Sequence, residues 1–193
     1  MTTLDLNDAG PQRSFDLIPA GTICTVQITI KNGGVGEGGW LKRSADGGSE
    51  GLDCEFAVID GEYAKRKIWQ LLLLNGTSDG HAKAAEISRA LLRGVLESAR
   101  NIKPNDTSEA AQSKRKAEIG DFNNLRFIAR IYVEKSKDPA YPDKNKLEAV
   151  TPDQRQWKAV EQLPASAQAE LPGVAVAASA KPTQAVTRPQ WAQ

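Results

Sequence analysis

The sequence predicts a mainly β protein: a small five-stranded OB-like barrel, or an open antiparallel sheet, with one packed amphipathic helix and a disordered C-terminal tail. Three observations predict it. Short stretches of alternating apolar residues recur between positions 22 and 150, the period of half-buried strands. One long stripe at helical spacing falls between the third and fourth of these stretches. After Leu163 the composition shifts to Ala, Pro, Gln, Val, Ser and Thr, with little to bury. The order β-β-β-α-(α)-β-β is that of a five-stranded Greek-key barrel, and a helix laid on an open antiparallel sheet shares it.

The expected organisation is a mobile N-terminus over residues 1–14, an OB-like domain over 15–163, and a tail over 164–193. In the domain, Phe15 to Gly21 leads in, with Pro19 and Gly21 as turn punctuation. From Thr22 to Lys31, Cys24, Val26, Ile28 and Ile30 face one way and Thr25, Gln27, Thr29 and Lys31 the other. Asn32 to Gly51 reads as a glycine-rich loop. Leu52 to Asp60 is a second strand, with Leu52, Cys54, Phe56 and Val58 inward and Asp53 and Glu55 outward. Asp60-Gly61 is a hairpin signal. A third strand over Lys65 to Leu74 ends in four leucines, which predicts burial on both faces there.

Ser78 or Asp79 is positioned to cap a helix over Gly80 to Asn101. Its predicted core stripe is Ala84, Ile87, Leu91, Val95, Ser98 and Ile102, widened by Ala85, Leu92, Leu96 and Ala99. Pro104 ends it, and Asp106 to Gly120 holds a short exposed helix or an excursion between strands. The central strand is Leu125 to Lys135. Leu125, Phe127, Ala129, Ile131 and Val133 form its core face, and Arg126, Ile128, Arg130, Tyr132 and Glu134 its face to water. A last strand runs from about Lys146 to Val150, and Pro152 to Gln162 is expected to form one more short helix containing Trp157.

Composition excludes several classes of function. Twenty-five basic residues against 24 acidic ones give no global field for a nucleic acid or a membrane, so any such site is a local patch. The polar N-terminus lacks the pattern of a signal peptide, and no run reaches the ~18 apolar residues of a membrane span. Cys24 and Cys54 sit within strand patterns and read as small core residues in a reducing cytoplasm, not as a disulfide scaffold or zinc site. Gly34-Val-Gly36-Glu-Gly-Gly39 has dinucleotide-loop spacing, but no helix follows to receive a phosphate, and there is no G-K-[ST]. No cofactor is expected. His81, the one histidine, reads as a surface residue of the helix. Asp53, Glu55, Asp60 and Glu62 could chelate magnesium in a nuclease, but they read more simply as partners of basic residues across the sheet and as hairpin decoration. The protein is expected to be non-catalytic.

The basic and aromatic residues point to single-stranded nucleic acid. Trp40, Lys42 and Arg43 share the glycine-rich loop, Lys67 and Trp69 begin the third strand, and Arg126, Arg130 and Tyr132 lie on the outer face of the central strand. Cations along phosphates and flat rings under bases are what a single-strand binder needs. The alternative is ordinary surface: arginines paired with carboxylates on a neighbouring strand, and Trp69 in the core. Trp69 reads first as core, whereas Trp40, in a polar loop, reads as functional. In the tail, Arg188 and Trp191 resemble a short docking peptide.

Several signatures resemble a family of phage and prophage proteins long listed as a domain of unknown function. They are Ile18-Pro-x-Gly21, Asp60-Gly61, Leu74-Asn75, Asp121-Phe-x-x-Leu-Arg-Phe-x-Ala-Arg130 and Tyr141-x-Asp-Lys-Asn145. The resemblance covers roughly residues 15–163. It implies a single-stranded DNA-binding protein of phage recombination or replication regions, in the cytoplasm of a bacterial host cell. It also implies work beside a phage annealing ATPase or recombinase, and many single-strand binders form homo-oligomers. No DNA-contacting residues carry over from the family. The competing expectation is a protein–protein adaptor that docks a phage or host protein through its sheet and tail.

Overall fold

A computed structural model describes Asp8 and residues 16–163. The calls on the N-terminus other than Asp8, and on the tail with Arg188 and Trp191, lie outside the described residues. The division of the chain into two units falls after Leu163, where the composition changes.

The sheet has six strands, all paired antiparallel: β1 (Ile23–Ile30), β2 (Lys42–Arg43), β3 (Ser49–Val58), β4 (Lys67–Gly76), β5 (Arg126–Glu134) and β6 (Lys144–Ala149). Helix α1 (Asp79–Ala99) and the short α2 (Glu109–Arg115) lie between β4 and β5. Setting aside the two-residue β2, the strands lie in the order β4-β3-β1-β5-β6. Three strands follow one another, and the next returns by a long connection to lie beside the first, which is a Greek key. No ladder joins β4 to β6, so the sheet stays open along that seam.

The inward faces are those the alternation predicts. Cys24, Val26, Ile28 and Ile30 meet Leu52, Cys54, Phe56 and Val58 in one buried cluster with Phe127, Ala129, Ile131 and Leu147. Phe56 and Phe127 pack edge to face with centroids 6.2 Å apart. Burying each such ring contributes about 1.5–3 kcal/mol.

Five details differ from the sequence expectation. The glycine-rich loop is partly ordered: Val35 bridges Leu41, a single turn of 3-10 helix covers Glu37–Gly39, and β2 pairs Lys42 with Gly51 and Arg43 with Glu50. Positive φ at Gly36, Gly38 and Gly39 lets the chain double back in pieces too short to show an alternating pattern. The connection after β3 is residues 59–66, not a two-residue hairpin. Asp60 accepts hydrogen bonds from the Thr25 amide (2.8 Å) and hydroxyl (2.5 Å), so its side chain anchors the turn to β1.

In β4 the leucine run is not buried on both faces. Ile68, Gln70 and Leu72 turn inward, while Trp69 and Leu71 are each 57% exposed, which also moves Trp69 out of the core. In α1 the buried stripe is Ala85, Ser88, Leu92, Val95 and Leu96, and Ile87 is 64% exposed. The helix starts where expected, with the Ser78 hydroxyl accepting from the His81 amide.

Residues 150–163 form turns and extended chain, with no helix at Pro152 to Gln162. This segment lies across the outer side of β5. The Gln162 side chain exchanges two hydrogen bonds with the Arg126 peptide group, Gln154 accepts from Arg130, and the Trp157 indole donates to Ser98 O. Ile128, on the face predicted to meet water, is fully buried: its amide donates to Ser98 Oγ of α1 (3.1 Å) and its carbonyl accepts from the Val150 amide (2.8 Å).

One charged group sits deep in the fold. Glu97 on α1 is 3% exposed and accepts from Arg93 and Arg115, both at 2.8 Å. Arg115 also donates to the carbonyls of Lys103, Pro104 and Asp106, tying α2 to the end of α1. The carboxylate is thus paired and hydrogen-bonded, the condition under which buried charge is tolerated.

Candidate nucleic-acid interface

The β3–β4 ladder sets Glu55 opposite Trp69 and Asp53 opposite Leu71, with side chains on the outer face. The Trp69 indole N–H donates to Glu55 (3.0 Å), and the other Glu55 oxygen takes Lys67 (2.8 Å). Asp53 pairs with Lys42 at 3.0 Å and Lys31 at 4.0 Å. The result is an exposed indole fixed by its N–H, flanked along the strand by Lys67 and Leu71, with Lys42 and Lys31 on the far side of β3. Three lysines face two carboxylates, so the patch carries a small positive excess. Arg43 is engaged by Glu50 beside it. Its guanidinium meets the carboxylate through both Nε and Nη2.

Trp40 is half-buried against the core, with its indole over Gly38, where a Cβ would lie 2.1 Å from the ring nitrogen. It is the packing anchor of the loop, so glycine at position 38 is required both by φ and by space. Of the sequence candidates, the structure brings together Lys42, Lys67 and Trp69, sets Arg43 at their margin, and seats Trp40 beneath the loop.

The central-strand residues sit elsewhere. Arg130 donates to Glu148 on β6 (2.5 Å) and to Gln154, and Arg126 donates to Gln27 (3.1 Å). Both arginines are held by neighbours; Arg130 pairs with a carboxylate on the adjacent strand, as the alternative reading of that strand expects, whereas Arg126 meets an amide oxygen. Tyr132 remains partly exposed. Burial and then the charges of Glu134 and Glu148 push its hydroxyl pKa up, so it stays neutral.

Tyr132 does share a surface with the β4 face. It lines, with Leu71 and Lys146, an open groove of about 780 Å³ along the seam between β4 and β6, floored by α1. A second recess of about 500 Å³ lies at the β5–β6 turn, lined by Lys135, Lys137, Lys144 and the exposed Tyr141. Tyr141 and Lys144 were not among the predicted contacts. Their signal was present as an aromatic among lysines, but without the fold nothing brought the two ends of that turn together.

Burial, with smaller contributions from Asp60 and Asp53, pushes the Cys24 thiol to about 11 and Cys54 to about 12, so neither is a nucleophile. Asp53, Glu55 and Asp60 are occupied by the cations and amides described above. Among the described residues, no group of three or more His, Cys, Asp or Glu is placed to hold a metal ion. Among the described residues, no helix is long and apolar enough to cross a membrane. No protein-family model, no curated protein and no solved structure matches this chain.

Proposed function

We propose that this is a non-catalytic single-stranded DNA-binding protein whose contact surface is the outer face of β3–β4. The observation that carries the reading is Trp69: an indole 57% exposed, fixed through its N–H to Glu55, with Lys67 beside it and Lys31 and Lys42 across β3 on the same face. An exposed tryptophan costs solvation unless a flat partner covers it, and a base stacked on it contributes ~1–3 kcal/mol. The lysines meet the phosphates on either side by releasing their carboxylates. OB-type sheets bind oligonucleotides on the corresponding second and third strands, which supports the same face. The resemblance to phage proteins supports a place in recombination or replication beside an annealing ATPase or recombinase.

Fluorescence anisotropy with a labelled single strand of ~30 nucleotides and the matching duplex tests it. The expected result is salt-weakened binding that prefers the single strand. Absence of binding to either at low salt overturns the reading. The near-balanced charge and the seam groove, where Leu71, Ile87 and Leu91 meet Glu134, Lys146 and Glu148, favour a second reading, a protein–protein adaptor, and that negative result would leave it standing.

A further inference from the structure

We propose that β4 is a self-association edge, and that two copies pair antiparallel about a twofold axis through Gln70. This goes beyond DNA binding and does not depend on it. Among the described residues β4 pairs with β3 alone. The Val58 amide donates to Arg66 O, so alternation along an antiparallel ladder turns Ile68, Gln70 and Leu72 toward β3. Lys67, Trp69, Leu71 and Leu73 then direct their peptide groups to the open seam. Arg89 caps the edge at Leu74 O (3.1 Å), which leaves residues 67–73 available, and their midpoint is Gln70.

Three features of that stretch fit a second copy of itself. In a register centred on Gln70, Trp69 lies opposite Leu71 of the second copy, so two exposed apolar side chains cover each other. Lys67, the one charge between 67 and 73, lies opposite Leu73, so no like charges meet. The third feature is the amide itself. Gln70 is 8% exposed and lines the seam groove, and no donor among the described residues reaches its Oε1. At the axis the Gln70 amide of the second copy supplies that donor, and the exchange is reciprocal. A buried polar group without a partner is otherwise costly.

The opposite edge makes the contrast. β6 presents Lys144, Lys146 and Glu148 outward, the charges that keep an edge from pairing, whereas β4 is long and apolar. Exposed Ile87 also lines the groove beside the added strand. The pairing buries on the order of 1,000 Å², the lower limit for a specific interface, so association is expected to be weak and concentration-dependent.

Sedimentation equilibrium of the full chain reads it directly: apparent mass should rise from 20.8 kDa toward twice that value with concentration. Leu71→Lys, on an exposed site the fold tolerates, should weaken association at least about tenfold, like other gatekeeper charges on edges. The register has its own probe. Gln70 would pair with itself at a non-hydrogen-bonded site, Cα atoms ~4.5 Å apart, within reach of a disulfide. Oxidised Gln70→Cys should therefore run as a covalent dimer, and Lys146→Cys on β6 should not. A wild type that stays monomeric, a dimer that survives Leu71→Lys, or cross-linking at position 146 in place of 70 overturns the proposal.

Discussion

Replacing Trp69 with alanine removes the stacking ring while leaving the charges around it in place. The side chain is 57% exposed and makes one hydrogen bond, to Glu55, so its removal leaves no cavity and no buried unpaired group. The stability loss should stay near the ~0.5–1.5 kcal/mol of an ordinary hydrogen bond. Affinity should respond differently. A stacked base is worth ~1–3 kcal/mol, which corresponds to a loss of about 5- to 150-fold in Kd. Glu55 would still hold Lys67, so the local charge is unchanged and the salt dependence of the variant should parallel that of the wild type. Trp69→Phe keeps a ring but loses the N–H that fixes it, and should fall between the two. The assay is anisotropy at two salt concentrations, with circular dichroism and a thermal melt as folding controls. A folded Trp69→Ala protein that binds a single strand as tightly as wild type refutes the assignment of this face.

Other expectations follow from the same geometry. Arg126→Ala combined with Arg130→Ala should reduce affinity less than Trp69→Ala does, because both guanidinium groups are held by Gln27, Glu148 and Gln154; anisotropy on the two proteins compares them. Binding should have a shallow salt slope, about −0.7 per phosphate over roughly two phosphates, since Lys42 and Lys67 must each leave a carboxylate; a salt titration measures it. Arg115→Ala strips Glu97 of its better-buried partner and should cost about 3 kcal/mol in urea denaturation. Hydrogen bonds from Thr25 and Lys158 hold the Asp60 carboxyl below its usual range despite the opposing effect of burial. Its contribution is therefore present above the unfolded value of about 3.9 and lost as pH falls through the lower folded value; Asp60→Asn should flatten that part of an acid-unfolding curve. Thiols raised to about 11 and about 12 should resist a disulfide reagent at neutral pH until the protein unfolds, as a labelling time course would show.

Where burial follows a single period, the sequence was enough. The inward faces of β1 and β3 read correctly, because Cys24 to Ile30 and Leu52 to Val58 alternate against one core, although β3 starts at Ser49 and ends at Val58 and Thr25 on the other face is buried. The Ser78 cap was equally legible, being a local interaction. What failed was decided by distant chain. Leu71 sits in a run of four leucines but belongs to a strand edge that no other strand covers, and Ile87 falls on a helical stripe that opens onto the same seam. Glu97 reads as surface until Arg115, eighteen residues on, reaches back to it. No window over α1 contains that partner.

The same logic accounts for the displacement of the candidate site. Leu125 to Lys135 carries the clearest alternation in the chain and two outward arginines, so residue chemistry places a binding surface there. Alternation reports one buried face and not what covers the other, and β5 is hydrogen-bonded on both sides, to β1 and to β6. Its outer face is near the returning chain: Ile128 is buried with the end of α1 and Val150 bonded to its backbone, and residues 150–163 engage Arg126 and Arg130. Surface left free for a large ligand lies instead on β4, an edge strand with nothing described above it. There the pattern Lys67, Trp69, Leu71 is apolar enough to pass for core by composition, yet exposed by position. An aromatic and aliphatic face that the fold leaves in water is where a ligand gains most by docking. Trp69 and Leu71, which read as core in the sequence, are therefore exposed, and theirs is the face to which the proposed function assigns the ligand.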